Sequence, residues 1–194
     1  MSKNPKGFYI SATEALHIIV SVITVALAFT LFPLGSFTAD RFVLVLITVG
    51  LGFVLHELGH KYVAVKYGAK AEYRAFTWGL FLALGLAFVT NGSFIFAAPG
   101  AVFIFGKMIS KDENGRIALA GPLVNLFLAF IFFVFGLMFP DYVSLAAIGI
   151  WVNAFLGAFN LLPINPLDGG KVFDWNKLAW GVVFFSNLAI LFLL

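Results

Sequence analysis

Six long apolar runs, at about 16–33, 42–65, 76–90, 117–139, 143–163 and 178–194, decide which solvent this chain folds in. Most approach the roughly 20 residues that a helix needs to cross a hydrocarbon core. Only 11% of the 194 residues are charged, where a soluble domain carries roughly a quarter. So few charges cannot coat a globule, and the bilayer has to solvate much of the surface. The 25 Phe suit a lipid-facing exterior. The sequence therefore predicts one integral membrane domain over 1–194, an all-α polytopic protein of about five to six transmembrane helices. No cleavable leader is expected, because the first run is long and no small-residue cleavage site precedes a soluble domain.

One stretch breaks the helical pattern. Residues 93–105 are aromatic and β-branched, with Pro99-Gly100 near the middle, which are strand and turn signals. A re-entrant β-hairpin or short sheet is expected there, with a second short strand over 71–77. Open sheet edges do not face lipid, so this element has to lie against protein or line a cavity.

Basic residues orient the spans. Lys3 and Lys6 precede the first run, and Lys61, Lys66, Lys70 and Arg74 close the second or follow it. Lys107, Lys111 and Arg116 precede the 117–139 run, and Lys171 and Lys177 follow the 143–163 run. All four groups are cytoplasmic only if 75–106 enters and leaves on one side. The loops at 34–41 and around Asp141 then lie outside. The net charge of +3 thus reports topology, and no nucleic-acid partner is expected.

The second run contains His56-Glu57-Leu58-Gly59-His60, which holds two of the three histidines of the chain. Histidines four apart share a helix face and can hold one metal ion. Glu57 is turned by about 100° from His56, which aims it at a metal-activated water. An ionised group at the bilayer centre costs about 2.5–3.5 kcal/mol or more, so three ionisable groups in one turn call for a ligand. Cysteine is absent, which excludes disulfides and thiolate ligands, and a catalytic zinc takes three protein ligands and keeps an open position. His17 has no partner at ligand spacing, and Glu14 reads as a first-turn acid of its helix. Asp168 lies in Asn160-Leu161-Leu162-Pro163-Ile164-Asn165-Pro166-Leu167-Asp168-Gly169-Gly170, where prolines interrupt the helix and glycines permit close backbone approach. It is the best candidate for third ligand. The parity that places the basic groups together also brings Asp168 to the level of the His pair.

These two motifs resemble those of the site-2 protease family of intramembrane zinc metalloproteases. His56 to His60 match the HExxH of that family, and the segment from Asn160 to Gly170 is similar to its second signature. Ala120-Gly121-Pro122-Leu123-Val124-Asn125 and Phe96-Ala97-Ala98-Pro99-Gly100-Ala101-Val102 resemble further, less specific elements. The motif-bearing core runs from about 42 to 170, with peripheral spans at about 16–33 and 178–194. The resemblance implies one Zn²⁺ per chain on His56, His60 and Asp168, with Glu57 as general base and proton shuttle. It implies that Asn160 acts on the scissile carbonyl or its intermediate, and that Asn125 and Gly121 support the site. Asn125 and Asn160 also read as interhelical hydrogen-bond partners, and Gly121 as a packing residue. Where the family often has Pro, this chain has Asn165, beside the ligand loop.

The function so implied is a zinc-dependent intramembrane endopeptidase acting on transmembrane protein substrates in a cell membrane, with its site toward the cytoplasm. A helix hides its carbonyls, so the substrate has to unwind. Phe94, Phe96, Val102 and Phe103 are the candidate pairing strand for it, with the 71–77 segment as the alternative. The alternatives are an inactive relative that binds membrane segments and a transporter or metal carrier, although no internal repeat supports the latter. The topology has a direct check. With no native cysteine to interfere, a Lys111→Cys variant is expected to be labelled from the cytoplasmic side; external labelling overturns the re-entrant arrangement.

Overall fold

The computed structural model describes residues 7–31, 37–96 and 98–193. Lys3, Lys6, Ala97 and residues 32–36, at the start of the loop expected to face outside, lie outside the described residues. The chain forms α1 (Ala12–Thr30), α2 (Ala39–Lys66), β1 (Lys70–Ala75), α3 (Thr77–Val89), β2 (Gly100–Phe105), α4 (Lys111–Met138), α5 (Val143–Asn160), α6 (Asp168–Trp175) and α7 (Lys177–Leu193). Among the described residues four helices are long and apolar enough to span: α1, α2, α4, and α5 with the turn before it. The shorter α7 has 17 residues and α3 has 13. At 1.5 Å per residue α3 rises only about 20 Å, well short of a hydrocarbon core of about 30 Å. The run at 76–90 therefore does not make a full span.

Local chemistry sets where these helices begin. Ser11 accepts from the Glu14 amide while Glu14 reaches back to the Ser11 amide, and Ser110 with Glu113 repeats the arrangement at α4. Both are capping boxes, which satisfy first-turn donors. Thr38 caps α2 by accepting from the Arg41 amide. The main core lies where α1, α2 and α5 meet, with Val25, Phe29, Val45, Val49, Val152 and Leu156 buried together.

The strands bear out a short sheet and a strand near 71–77, and correct the expected hairpin. Among the described residues of 93–105 no hairpin forms. Instead β2 pairs antiparallel with β1, with Lys70 opposite Phe105 and Ala75 opposite Gly100. Phe94 and Phe96 lie before the strand, and α3 forms the connection. A Pro-Gly type II turn needs a positive φ at the glycine, and Gly100 does not have one, whereas Asn91 and Gly92 do. The reversal thus occurs at 91–92. Pro99, which has no N–H to donate, takes part through its carbonyl, which accepts from the Phe76 amide at 2.7 Å.

Helix α1 closes one edge of this sheet. Glu14 Oε1 accepts from the Tyr73 amide at 3.0 Å, and His17 Nδ1 accepts from the Ala75 amide at 3.2 Å. Ser21 and Tyr73 join their hydroxyls at 2.8 Å. Glu14 is thus more than a first-turn acid: it is fully buried, and its Oε2 lies 2.5 Å from Lys61 Nζ. Lys61 also donates to the Tyr9 carbonyl. Counted from sequence among the topology-setting charges, Lys61 is instead buried and paired.

Breaking that pair strands a charge. Lys61→Met is expected to destabilise the protein by about 3–5 kcal/mol, and adding Glu14→Gln should recover most of the loss. Unfolding titrations in detergent compare the single and double variants; equal stability of Lys61→Met and wild type contradicts this account.

Candidate metal centre

Helix α2 carries His56 and His60 on one face, both buried. Their Nε2 atoms lie 3.0 Å apart. Asp168, the first residue of α6, brings Oδ2 to 3.3 Å from His56 Nε2 and 3.0 Å from His60 Nε2. Among the described residues these three form a cluster able to hold a metal ion. Ligands about 2.0–2.1 Å from a tetrahedral zinc stand about 3.3 Å apart, so the triangle has the right size.

The ring nitrogens on the far side support the same reading. His60 Nδ1 lies 2.7 Å from the Ile117 carbonyl, and His56 Nδ1 lies 2.6 Å from Asn125 Oδ1. A carbonyl oxygen only accepts, so each Nδ1 carries the proton and each Nε2 turns a lone pair toward Asp168. Gly121 of α4 faces the same point. A Cβ there would sit 2.6 Å from His56 Nε2 and closer still to His60 Nε2. The glycine leaves free the space that an ion bound to these nitrogens requires.

Asp168 reaches the triangle through a folded-back connection. Helix α5 stops at Asn160, within the segment where the prolines were expected to interrupt it, and Asp168 opens a new helix. Gly169 permits this, because a Cβ there would collide with the carbonyls of Leu161 and Leu162. Trp180 donates from Nε1 to the Leu161 carbonyl at 2.7 Å, which ties α7 to the same turn. The other carboxylate oxygen, Asp168 Oδ1, faces Lys171 Nζ at 3.6 Å.

Glu57 is buried, and its Oε2 has no hydrogen-bond partner among the described residues. It shares a small pocket with His56, Ala98, Pro99, Gly100 and Asn160. That pocket joins a cleft of about 580 Å³ lined by the three candidate ligands, Glu57, Asn160, Lys171 and the length of β2 from Gly100 to Ile104. Asn160 Nδ2 donates to the Leu156 carbonyl at 3.0 Å. Phe96, Val102 and Phe103 line the cleft, whereas Phe94 is exposed. Sequence reading missed Asn153 of α5, which accepts from Asn125. A polar side chain in the middle of an apolar run was the available signal.

Comparisons with known proteins bear on the family of the chain. The family model described as Peptidase family M50 matches residues 44–143 and 140–179. A protein of Methanocaldococcus jannaschii with a provisional zinc-metalloprotease name is 45% identical over 179 residues, 91% of each chain. A second protein of that organism, named a zinc metalloprotease, is 31% identical over 162 residues, 81% of this chain and 40% of its own length. A Bacillus subtilis protein, also provisionally named a zinc metalloprotease, is 33% identical over 148 residues, 66% of each chain. No solved structure matches.

The crowding at Gly121 yields a test. Gly121→Ala is expected to lower bound zinc by at least about tenfold, the scale of a disturbed ligand shell, while the helical content stays unchanged. Elemental analysis of purified protein reads the metal; full zinc occupancy in the variant contradicts the placement.

Proposed function

The chain belongs to peptidase family M50, and from that membership we propose that it is a zinc-dependent endopeptidase cutting membrane-protein substrates in or beside their transmembrane segments. The observation that carries the proposal is the shared cleft. It holds a metal-sized triangle, an unpaired buried carboxylate and one edge of a β-strand. Helix α7 serves as a further span, and the cleft opens toward the cytoplasmic side, as the basic loops require.

The roles follow from position. His56, His60 and Asp168 hold the ion, which when bound supplies an activated water and an electrophile for a peptide carbonyl. Glu57, one residue from His56 and with a free oxygen in the cleft, takes up the proton of the attacking water and delivers it to the leaving amine. Asn160 faces Glu57 across the small pocket. Its amide N–H, now bonded within its own helix, turns to the oxygen that gains charge on the substrate.

The sheet binds the substrate backbone. Since the Tyr73 and Ala75 amides point to α1, the alternation of an antiparallel pair turns their cross-strand partners outward. Val102 opposes Tyr73 and Gly100 opposes Ala75, so Val102 and Ile104 present their amides to the cleft. An unwound substrate segment adds there as a third strand.

Two experiments test this reading with single-span substrates in lipid. Glu57→Gln is expected to slow cleavage by at least about 10²-fold while zinc content stays at the wild-type level; equal cleavage by both proteins refutes the mechanism. Val102→Pro removes an outward amide without removing a β1–β2 ladder bond. It should slow cleavage with zinc retained, and an unchanged rate argues against strand addition at this edge.

A further inference from the structure

Deep between α2, α4 and α5 lies a polar path of which the site described above uses only the last link, from Asn125 to His56. Asn153 and Asn125 are both fully buried. Asn153 Nδ2 donates to the Gly149 carbonyl one turn earlier in α5, at 2.9 Å. That carbonyl only accepts, so it fixes which end of the Asn153 amide is nitrogen and turns Oδ1 toward α4. Asn125 meets it with Nδ2 at 3.0 Å and places the same nitrogen 3.1 Å from the Gly52 carbonyl of α2. Again both partners only accept, so Asn125 has to turn its oxygen to His56. The order is one-way: two backbone carbonyls orient two amides, and the second amide holds the proton on His56 Nδ1. Gly52 makes the approach possible, because a Cβ there would lie 2.7 Å from Asn153 Oδ1.

We infer that Asn153 is a positioning residue for the metal centre, acting through Asn125 to hold the His56 ring in the tautomer and orientation that directs Nε2 at the ion. In a low-dielectric interior such connected bonds strengthen one another, and a broken link leaves an expensive unpaired group. His60 has no such dependence, since a backbone carbonyl holds its Nδ1 directly. Disturbance of Asn153 therefore reaches one histidine and spares the other. A role confined to helix packing has no reason to make that distinction.

The inference rests on the metal-centre reading, and Co²⁺ as the probe separates the two. Asn153→Leu keeps the shape of the side chain but offers Asn125 no acceptor. Asn153→Asp, neutral when buried, restores both bonds: its hydroxyl donates to Gly149 and its carbonyl accepts from Asn125. The full chain in detergent should bind Co²⁺ about tenfold more weakly as the Leu variant, with an altered visible absorption band. The Asp variant should match wild type in both readouts. In metal-free protein labelled at histidine nitrogen, the Leu change should move the His56 signals and leave those of His60 in place. If the Leu variant does not fold, Asn153→Thr takes its place, since its hydroxyl can bond Gly149 but is too short to reach Asn125. Wild-type affinity and spectrum in the Leu or Thr variant overturn the inference, as does an Asp variant as weak as Leu. Equal movement of both histidines also overturns it in favour of packing. Failure of the wild type to bind Co²⁺ overturns the metal centre itself, and this inference with it.

Discussion

Polar groups among membrane helices have to be satisfied by the protein, and in this chain that demand concentrates on α2. Positions 56 to 61 place two histidines, a glutamate and a lysine within two turns of one another. The histidines and the lysine draw in other parts of the structure. The Nδ1 atoms take Asn125 and the Ile117 carbonyl from α4, the Nε2 atoms take Asp168 from α6, and Lys61 takes Glu14 from α1. The arrangement of the outer helices is in this sense an answer to the charges of one helix. Small residues let the answer be reached: a Cβ at Gly59 would already press on Val124 and on the Ala120 carbonyl. Of these four side chains, Glu57 is the one that keeps a buried oxygen without a partner among the described residues, and it is the group that the cleft exposes to whatever enters.

Much of this was legible because it is local. Apolar runs of spanning length, Ser-x-x-Glu caps and a four-residue histidine spacing each express a helical period, and helices form from neighbours in sequence. Asp168 was legible for a different reason. Few carboxylates border the apolar runs, and only this one lies in a segment of prolines and glycines that bends back. Its convergence with His56 and His60 follows from the tight turn that Gly169 allows.

What was hidden depends on distant partners. The strand at 100–105 carries its own β signal, but nothing in its residues says that 70–75, across a whole helix, is its mate. The turn signal of Pro99-Gly100 then pointed to the wrong place, while Asn91 and Gly92 held the positive φ angles of the reversal. Lys61 looked like a flanking charge because Glu14, 47 residues away, gave no sign of facing it. Asn153 was passed over, since its meaning lies in the acceptor-only carbonyls around it. These pairings are fixed in three dimensions and leave no periodic trace.

The Glu14–Lys61 pair also gives the fold a particular response to heat. Ions are hydrated with a strongly negative entropy, so the water that separated Glu14 and Lys61 would regain becomes a poorer reward as temperature rises. The hydrophobic contribution per unit area levels off over the same range. The clamp between α1 and α2 therefore carries a growing share of the cohesion as the molecule warms. Because Glu14 also holds the Tyr73 amide, the seating of the sheet over α2 is coupled to that same thermal response.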